Sequence, residues 1–196
     1  MTRSATVVRK TAETAITATI NLDGSGKFVT ETGIGFFDHM LSHIAKHGVF
    51  DLDVRATGDL HIDQHHTIED VGIALGEAFA QALGDKAGIV RAGSAFMPLD
   101  EALAFATVDL SGRPYAVLDM KLLGGEIGGF APDLLNHFIE SFTFALKAAV
   151  HITTLAGVND HHKAEACFKA LARALDAATR IDPRRAGDIP STKGVL

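Results

Sequence analysis

His65, His66 and Glu69 form a His-His-x-x-Glu pattern, and His161, His162 and Glu165 repeat it 96 residues later. At the start of a helix, residues i and i+4 share a face, which groups His65 with Glu69 and His161 with Glu165, while the adjacent histidine points about 100° away. Two imidazoles and a carboxylate fanned out in this way can serve two metal ions rather than one. A chain that does so twice is expected to be a duplicated protein building a dinuclear metal site. Neutral imidazole suits Mn, Fe, Co, Ni or Zn, and mixed nitrogen and oxygen ligation without thiolate favours Mn or Fe over structural zinc. The plain alternative is that the motifs staple helices together, but closed structural sites rarely need so many ligands.

Ten histidines occur in the chain, and eight of them cluster as His39/His43/His47, His61/His65/His66 and His161/His162, with His137 and His151 alone. The elements that must position them run in parallel in the two halves. Residues 37–47 carry Met40, Leu41 and Ile44 at helical spacing before Gly48. Residues 49–57 alternate like a half-buried strand, Gly58-Asp59 makes a turn, and His65 opens a helix with the stripe Ile68, Val71, Leu75, Phe79 and Leu83. The second half repeats this as helix 134–147, strand 149–155, turn 157–160 and helix 161–179, with the stripe Ala164, Cys167, Leu171 and Leu175. His39 and His137 precede their motifs by similar intervals, so each is expected to be the extra ligand of its own copy. Both halves begin with strand-like segments, 14–22 and 26–32 around Asp23-Gly24-Ser25, which reads as a hairpin turn, and 102–110 and 114–120 flanking Ser111-Gly112-Arg113. The expected fold is α+β, internally duplicated into two-layer units, each a small mixed sheet covered by helices on one face. The units are placed at 1–92 and 93–181, with 182–196 a loop or flexible C-terminal arm.

Composition narrows the function. At 196 residues and 47% hydrophobic content the chain can bury a sizeable core. A net charge of −6 argues against nonspecific nucleic-acid binding. The lone Cys167 excludes an internal disulfide framework and a thiolate zinc cluster, and fits a reducing cytosol. The first ten residues lack an apolar signal core, and no apolar run of about 18 residues could span a bilayer, so a soluble cytoplasmic protein is expected. Arg91, Arg113, Lys169 and Lys193, the last beside Ser191 and Thr192, are groups a phosphate would attract, although each alone reads as a solvated charge. Asn21-Leu22-Asp23-Gly24-Ser25 looks like a phosphatase nucleophile loop, but a carboxamide at Asn21 cannot accept a phosphoryl group.

Assembled, these residues resemble the imidazoleglycerol-phosphate dehydratase family. The likeness rests on RKTAET (9–14), FFDHMLSHIAKHG (36–48), GDLHIDQHHTIED (58–70), MPLDEA (97–102), DLSGRPY (109–115), residues 137–141 and 159–166, and STKGVL (191–196). It implies the monofunctional form of a hydro-lyase of histidine biosynthesis, converting imidazole glycerol phosphate to imidazole acetol phosphate and water. It further implies two Mn2+ per active site, held by His39, His65, His66, Glu69, His137, His161, His162 and Glu165. The metals would favour a bound imidazolate that expels the neighbouring hydroxyl, with Glu13 as general base and Glu165 as second candidate. Glu13, His47, Arg91, Arg113, Lys169, Ser191, Thr192 and Lys193 fall at substrate-contacting positions, alongside the ligands His39, His65, Glu69 and His161. The resemblance also implies a homo-oligomer, a 24-mer built from trimers with sites shared between chains. One departure is His43, where many family members are expected to carry Gln. Two other readings compete: a dinuclear metallohydrolase, which would release phosphate, and a metal-storage protein, which would not need Glu13 or the C-terminal residues.

Overall fold

The computed structural model describes residues 3–185 and 187–196. Two sheets of four strands each are present. The first contains β1 (Ser4–Lys10), β2 (Thr14–Asn21), β3 (Phe28–Glu31) and β4 (Asp51–Gly58), in the order β1-β2-β4-β3. The second contains β5 (Ala92–Leu99), β6 (Ala102–Asp109), β7 (Tyr115–Asp119) and β8 (Ala149–Ala156), in the matching order β5-β6-β8-β7. In each sheet the last-placed strand is parallel to its neighbour and the other pairings are antiparallel. Helices α1 (Gly35–Gly48) and α2 (His65–Leu83) belong to the first half, α3 (Leu134–Leu146) and α4 (Asp160–Thr179) to the second. The fold is therefore α+β and duplicated, as the repeated motifs predict.

The hairpin assigned to Asp23–Ser25 fails, and the matching turn of the second half is not a hairpin either. β2 and β3 are not neighbours, because β4 lies between them; β6 and β7 are likewise separated by β8. The Asp23–Ser25 segment instead passes the start of β4, where Asp51 accepts hydrogen bonds from the backbone N–H of Ser25 (2.8 Å) and Lys27 (3.0 Å). A Cβ on Gly24 would lie 2.2 Å from the Asp51 nitrogen, so this glycine permits a close crossing and does not shape a tight hairpin. The true hairpins join β1 to β2 and β5 to β6. Their first strands carry an alternation, Ala5-Val7-Arg9 and Ala95-Met97-Leu99, that is weak because apolar Val8 and Phe96 also stand on the solvent-facing side.

The apolar stripes of α2 and α4 are buried throughout, and they pack against β1, β2 and β4, and β5, β6 and β8, respectively. The second helix of each half is thus clamped on its own sheet. Its other side meets the opposite half: α2 lies along α3, and α1 along α4. One continuous core results, with Phe37, Phe79, Phe138, Phe142 and Phe168 at its centre. The α2–α3 crossing is close because α2 presents Gly72 and Gly76; a Cβ at Gly76 would stand 2.5 Å from the Phe142 carbonyl oxygen and 2.7 Å from the Ala145 Cβ. Gly76→Ala is therefore expected to lower stability by about 1–3 kcal/mol, seen as a lower denaturant midpoint at unchanged m-value. Gly35→Ala, with open space around it, should leave the midpoint within about 0.5 kcal/mol or raise it.

Candidate metal and substrate site

The two His-His-x-x-Glu motifs open α2 and α4; a side-chain cap starts α4, whereas α2 follows a turn in which Asp63, not the N-cap residue Gln64, accepts a backbone hydrogen bond. Asn159 accepts from the backbone N–H of His161 (2.9 Å) and His162 (3.3 Å), and Asp63 from that of His65 (2.8 Å). Within one turn, Glu69 and Glu165 come round beneath His65 and His161. His65 Nε2 lies 3.9 Å and His161 Nε2 3.3 Å from the carboxylate four residues on.

Around these pairs two donor clusters form. In the first, His137 stacks on His65 with ring centroids 4.2 Å apart, and its Nε2 lies 3.6 Å from Glu69 Oε2. In the second, His39 Nε2 lies 3.2 Å from Glu165 Oε2, and His43 Nε2 lies 3.4 Å from Glu165 Oε1. The ligand atoms of His65, Glu69 and His137 all fall within 4.8 Å of one another, as do those of His39, His43 and Glu165. His137 Nε2 is buried and has no hydrogen-bond partner, which is costly for an imidazole nitrogen unless something fills the space before it. A divalent cation among two imidazoles and a carboxylate would satisfy it, and the donor set suits Mn2+ or a later first-row ion.

The expectation that His39 and His137 each complete their own copy is overturned. His39, from the first half, joins His161 and Glu165 of the second; His137, from the second half, joins His65 and Glu69 of the first. The cause is the crossed packing of α1 on α4 and α3 on α2. Sequence spacing measured distance along the chain and carried no information about which helix lies across from which.

His66 and His162 turn away from these clusters, as the helical spacing requires. His66 Nδ1 lies 3.0 Å from Asp59 Oδ2 and 3.7 Å from Glu13 Oε2; His162 Nδ1 lies 2.7 Å from Glu101 Oε2. Each hydrogen bond holds its imidazole above the usual pKa, and the His162 hydrogen bond, helped by the Asn159 N–H, draws the Glu101 carboxyl down to about 2. Nδ1–H donation to a carboxylate leaves Nε2 as the free nitrogen, the arrangement typical of a metal-ligating histidine. Asp59 and Glu101 escaped the sequence reading. They lie inside the GDLHIDQHHTIED and MPLDEA motifs, but as turn residues they gave no periodic signal. Glu13, in the β1–β2 connection, is matched by Glu101 in the β5–β6 connection.

Glu165 is the most heavily engaged carboxylate. Burial pushes its pKa up, but the Lys169 ammonium at 2.5 Å, with His43 and His39, brings it down to about 2. His43 is desolvated, its pKa pushed down to about 4 against the pull of Glu165. Burial also lowers His47, which stands beyond His43 with Lys169 nearby. Phe36, the first residue of the FFDHMLSHIAKHG motif but given no role there, walls this cluster, its ring 5.2 Å from that of His161 and 5.3 Å from buried Phe130.

The remaining basic candidates lie elsewhere. Arg91 donates to Asp109 (2.7 and 3.1 Å) and to the Pro190 carbonyl (2.8 Å), and its backbone N–H bonds Ala178 at the far end of α4. A Cβ on Gly112, beside exposed Arg113, would meet Leu196 at 2.8 Å, so the chain's last residues lie on this turn. Ser191 Oγ accepts from the Lys193 N–H, and Thr192 and Lys193 are exposed. From His161 to Ala178 the α4 axis rises about 25 Å. Lys169 and His47 therefore accompany the α4 cluster, whereas Arg91, Arg113, Ser191, Thr192 and Lys193 gather at the opposite end of the same helix.

Fold and site together define a class: an internally duplicated α+β protein that collects imidazole and carboxylate donors at paired helix starts. The imidazoleglycerol-phosphate dehydratase family model matches residues 32–175. The chain is 56% identical over 195 residues to the imidazoleglycerol-phosphate dehydratase of Roseiflexus sp. (strain RS-1), covering 100% of this chain and 98% of that one. It is 55% identical to that of Dinoroseobacter shibae, covering 99% and 100%. Among solved structures, imidazoleglycerol-phosphate dehydratase from Staphylococcus aureus superposes with a TM-score of 0.83 at 33% identity, covering 91% of this chain and 99% of that one. The Pyrococcus furiosus protein gives 0.81 at 39% identity, covering 97% and 100%. The chain belongs to the imidazoleglycerol-phosphate dehydratase family, a family of hydro-lyases.

Arg91 holds the arm through one guanidinium N–H on Pro190. Arg91→Ala is expected to speed proteolytic cleavage within residues 187–196 several-fold, with the melting temperature little changed, as read by mass spectrometry of timed digests.

Proposed function

We propose that this chain dehydrates imidazole glycerol phosphate to imidazole acetol phosphate in histidine biosynthesis, with two Mn2+ per active site, as a cytoplasmic homo-oligomer. The observation that carries this reading is the pair of donor clusters, one with a buried, unpartnered His137 Nε2, in a chain of this family. His65, Glu69 and His137 would hold one ion and His39, His161 and Glu165 another, with His66 and His162 offering free Nε2 atoms on a different face. Manganese, when bound, supplies Lewis acidity to the substrate's imidazole and so assists loss of the hydroxyl on the adjacent carbon.

The chain's own groups do the rest. Glu13 takes the proton from the neighbouring carbon, the hydroxyl leaves with a proton as water, and the resulting enol becomes the ketone. Glu13 suits this role better than Glu165, whose carboxylate is already engaged by Lys169 and His39. Lys169 and His47 would approach the phosphate from the metal end.

The sites are proposed to be shared between chains. Arg91, Arg113, Ser191, Thr192 and Lys193 lie about 25 Å along α4 from His161, too far to reach one small substrate with it. A neighbouring copy placing its arm end against the first copy's helix start would unite them, and His66 or His162 of a neighbour could add a donor to a three-donor cluster. The assembly we propose for this sharing is a 24-mer built from trimers.

The test is to reconstitute the purified protein with manganese, separate it by size and assay each fraction with imidazole glycerol phosphate. Keto product with phosphate retained, confined to assembled fractions, is expected. Absence of product would overturn the reading, free phosphate would favour a hydrolase, and a fully active monomer would end the shared-site proposal. Glu13→Gln should lower kcat by about 10²–10⁴-fold with bound manganese unchanged, as read by metal analysis beside the assay.

A further inference from the structure

The two donor clusters are built by equivalent helices but are not equally supplied. His39 on α1 and His137 on α3 occupy matching places, and one turn further on α1 carries His43 where α3 carries Ser141. His43 Nε2 lies 3.3 Å from His39 Nε2 and 3.4 Å from Glu165 Oε1, with its ring centroid 4.5 Å from that of His39. It is turned into the cluster and largely shielded from water. Ser141 sits over α2, where a Cβ on Gly72 would be 3.1 Å from its own, beside a cavity of about 420 Å3 bordered by Glu69, His137 and Ser141. A serine hydroxyl is too short to take the place of an imidazole across that space.

We propose that His43 is an additional metal donor confined to the α4 cluster, so that each protomer has two metal sites of unequal strength. The inference rests on the manganese reading above. The α4 cluster would offer His39, His43, His161 and Glu165, against His65, Glu69 and His137 at α2. An added imidazole raises affinity for first-row divalent ions, and more steeply for those later than manganese. The competing explanation is that His43 only donates a hydrogen bond to Glu165. Glutamine separates the two, because its amide also donates a hydrogen bond but is a poor nitrogen ligand. Lys169 and His43 both face Glu165 Oε1, whereas His39 and His161 face Oε2; a cation between the His39 and His43 nitrogens, 3.3 Å apart, would meet the carboxylate at Oε2 and leave the ammonium on Oε1.

The experiment is equilibrium dialysis of the intact, assembled protein against Mn2+, with bound ion counted by metal analysis and free ion by electron paramagnetic resonance. The wild type should show two classes of site separated by about tenfold or more. His43→Gln should weaken the tighter class by at least that factor and leave the other in place, while circular dichroism remains unchanged. Ser141→His should strengthen the weaker class in the same assay, a gain that misfolding cannot produce. A wild type with equal sites, or two classes that His43→Gln leaves untouched, overturns the role of His43 alone. A wild type that binds no manganese overturns the manganese reading along with it.

Discussion

The structure depends on the crossed contact between its halves. Each half lays its second helix on its own sheet, but the outer faces of α1 and α2 have nothing to cover them except α4 and α3. Burying them joins two two-layer units into a single core between two sheets, with Phe79 packed edge-on to Phe142 and Phe37 to Phe138. The small residues on α2 decide how close this contact is. With Gly72 and Gly76 at the crossing, the α2 backbone approaches α3 within the space of a missing Cβ. That closeness brings His137 onto His65 in a stack with ring centroids 4.2 Å apart.

A consequence follows for the donor clusters. Because each draws on both halves, neither half alone assembles either of these two clusters. Folding of the joint core and formation of the clusters are the same event, and a cation bound there would stabilise the contact between halves rather than either half separately. The buried Lys163, beside His162, serves the same precision in a different way. Its ammonium contacts Asp160 and donates to the Lys121 carbonyl, while Asp160 also accepts from the Leu123 N–H. The start of α4 is thus tied to the β7–α3 connection, and removing one partner would leave an uncompensated charge inside the protein.

Much of this was legible in the residues. The helix bounds at Leu134, His65 and Thr179 and the buried stripes of α2 and α4 follow from apolar periodicity, and the outward turn of His66 and His162 follows from helical spacing alone. What the sequence obscured was always a relation across space. The Asp23–Ser25 and Ser111–Arg113 turns carry hairpin residues, yet a strand inserted from later in the chain separates their flanks. The ownership of His39 and His137 was misassigned for the same reason. Asp59 and Glu101 were hidden because a single carboxylate in a turn has no pattern, and its partner is recognisable only once His66 and His162 are placed.

The two copies have also diverged in how they hold the outward histidine. In the second half Glu101, from the strand-connecting turn, bonds His162 Nδ1 directly. In the first half Asp59 takes that contact, and Glu13, from the equivalent connection, stands off at 3.7 Å with its side chain more than half exposed. Duplication supplied two carboxylates in matching places, and Asp59 releases one of them. A carboxylate committed to orienting an imidazole is a weakened base, its charge already stabilised by the hydrogen bond it accepts. Glu13, relieved of that duty, keeps a free lone pair beside the histidine and remains open to solvent and to a bound molecule. Internal repetition explains why Glu13 and Glu101 occupy corresponding positions, and its breakdown at Asp59 leaves Glu13 without the histidine hydrogen bond that holds Glu101.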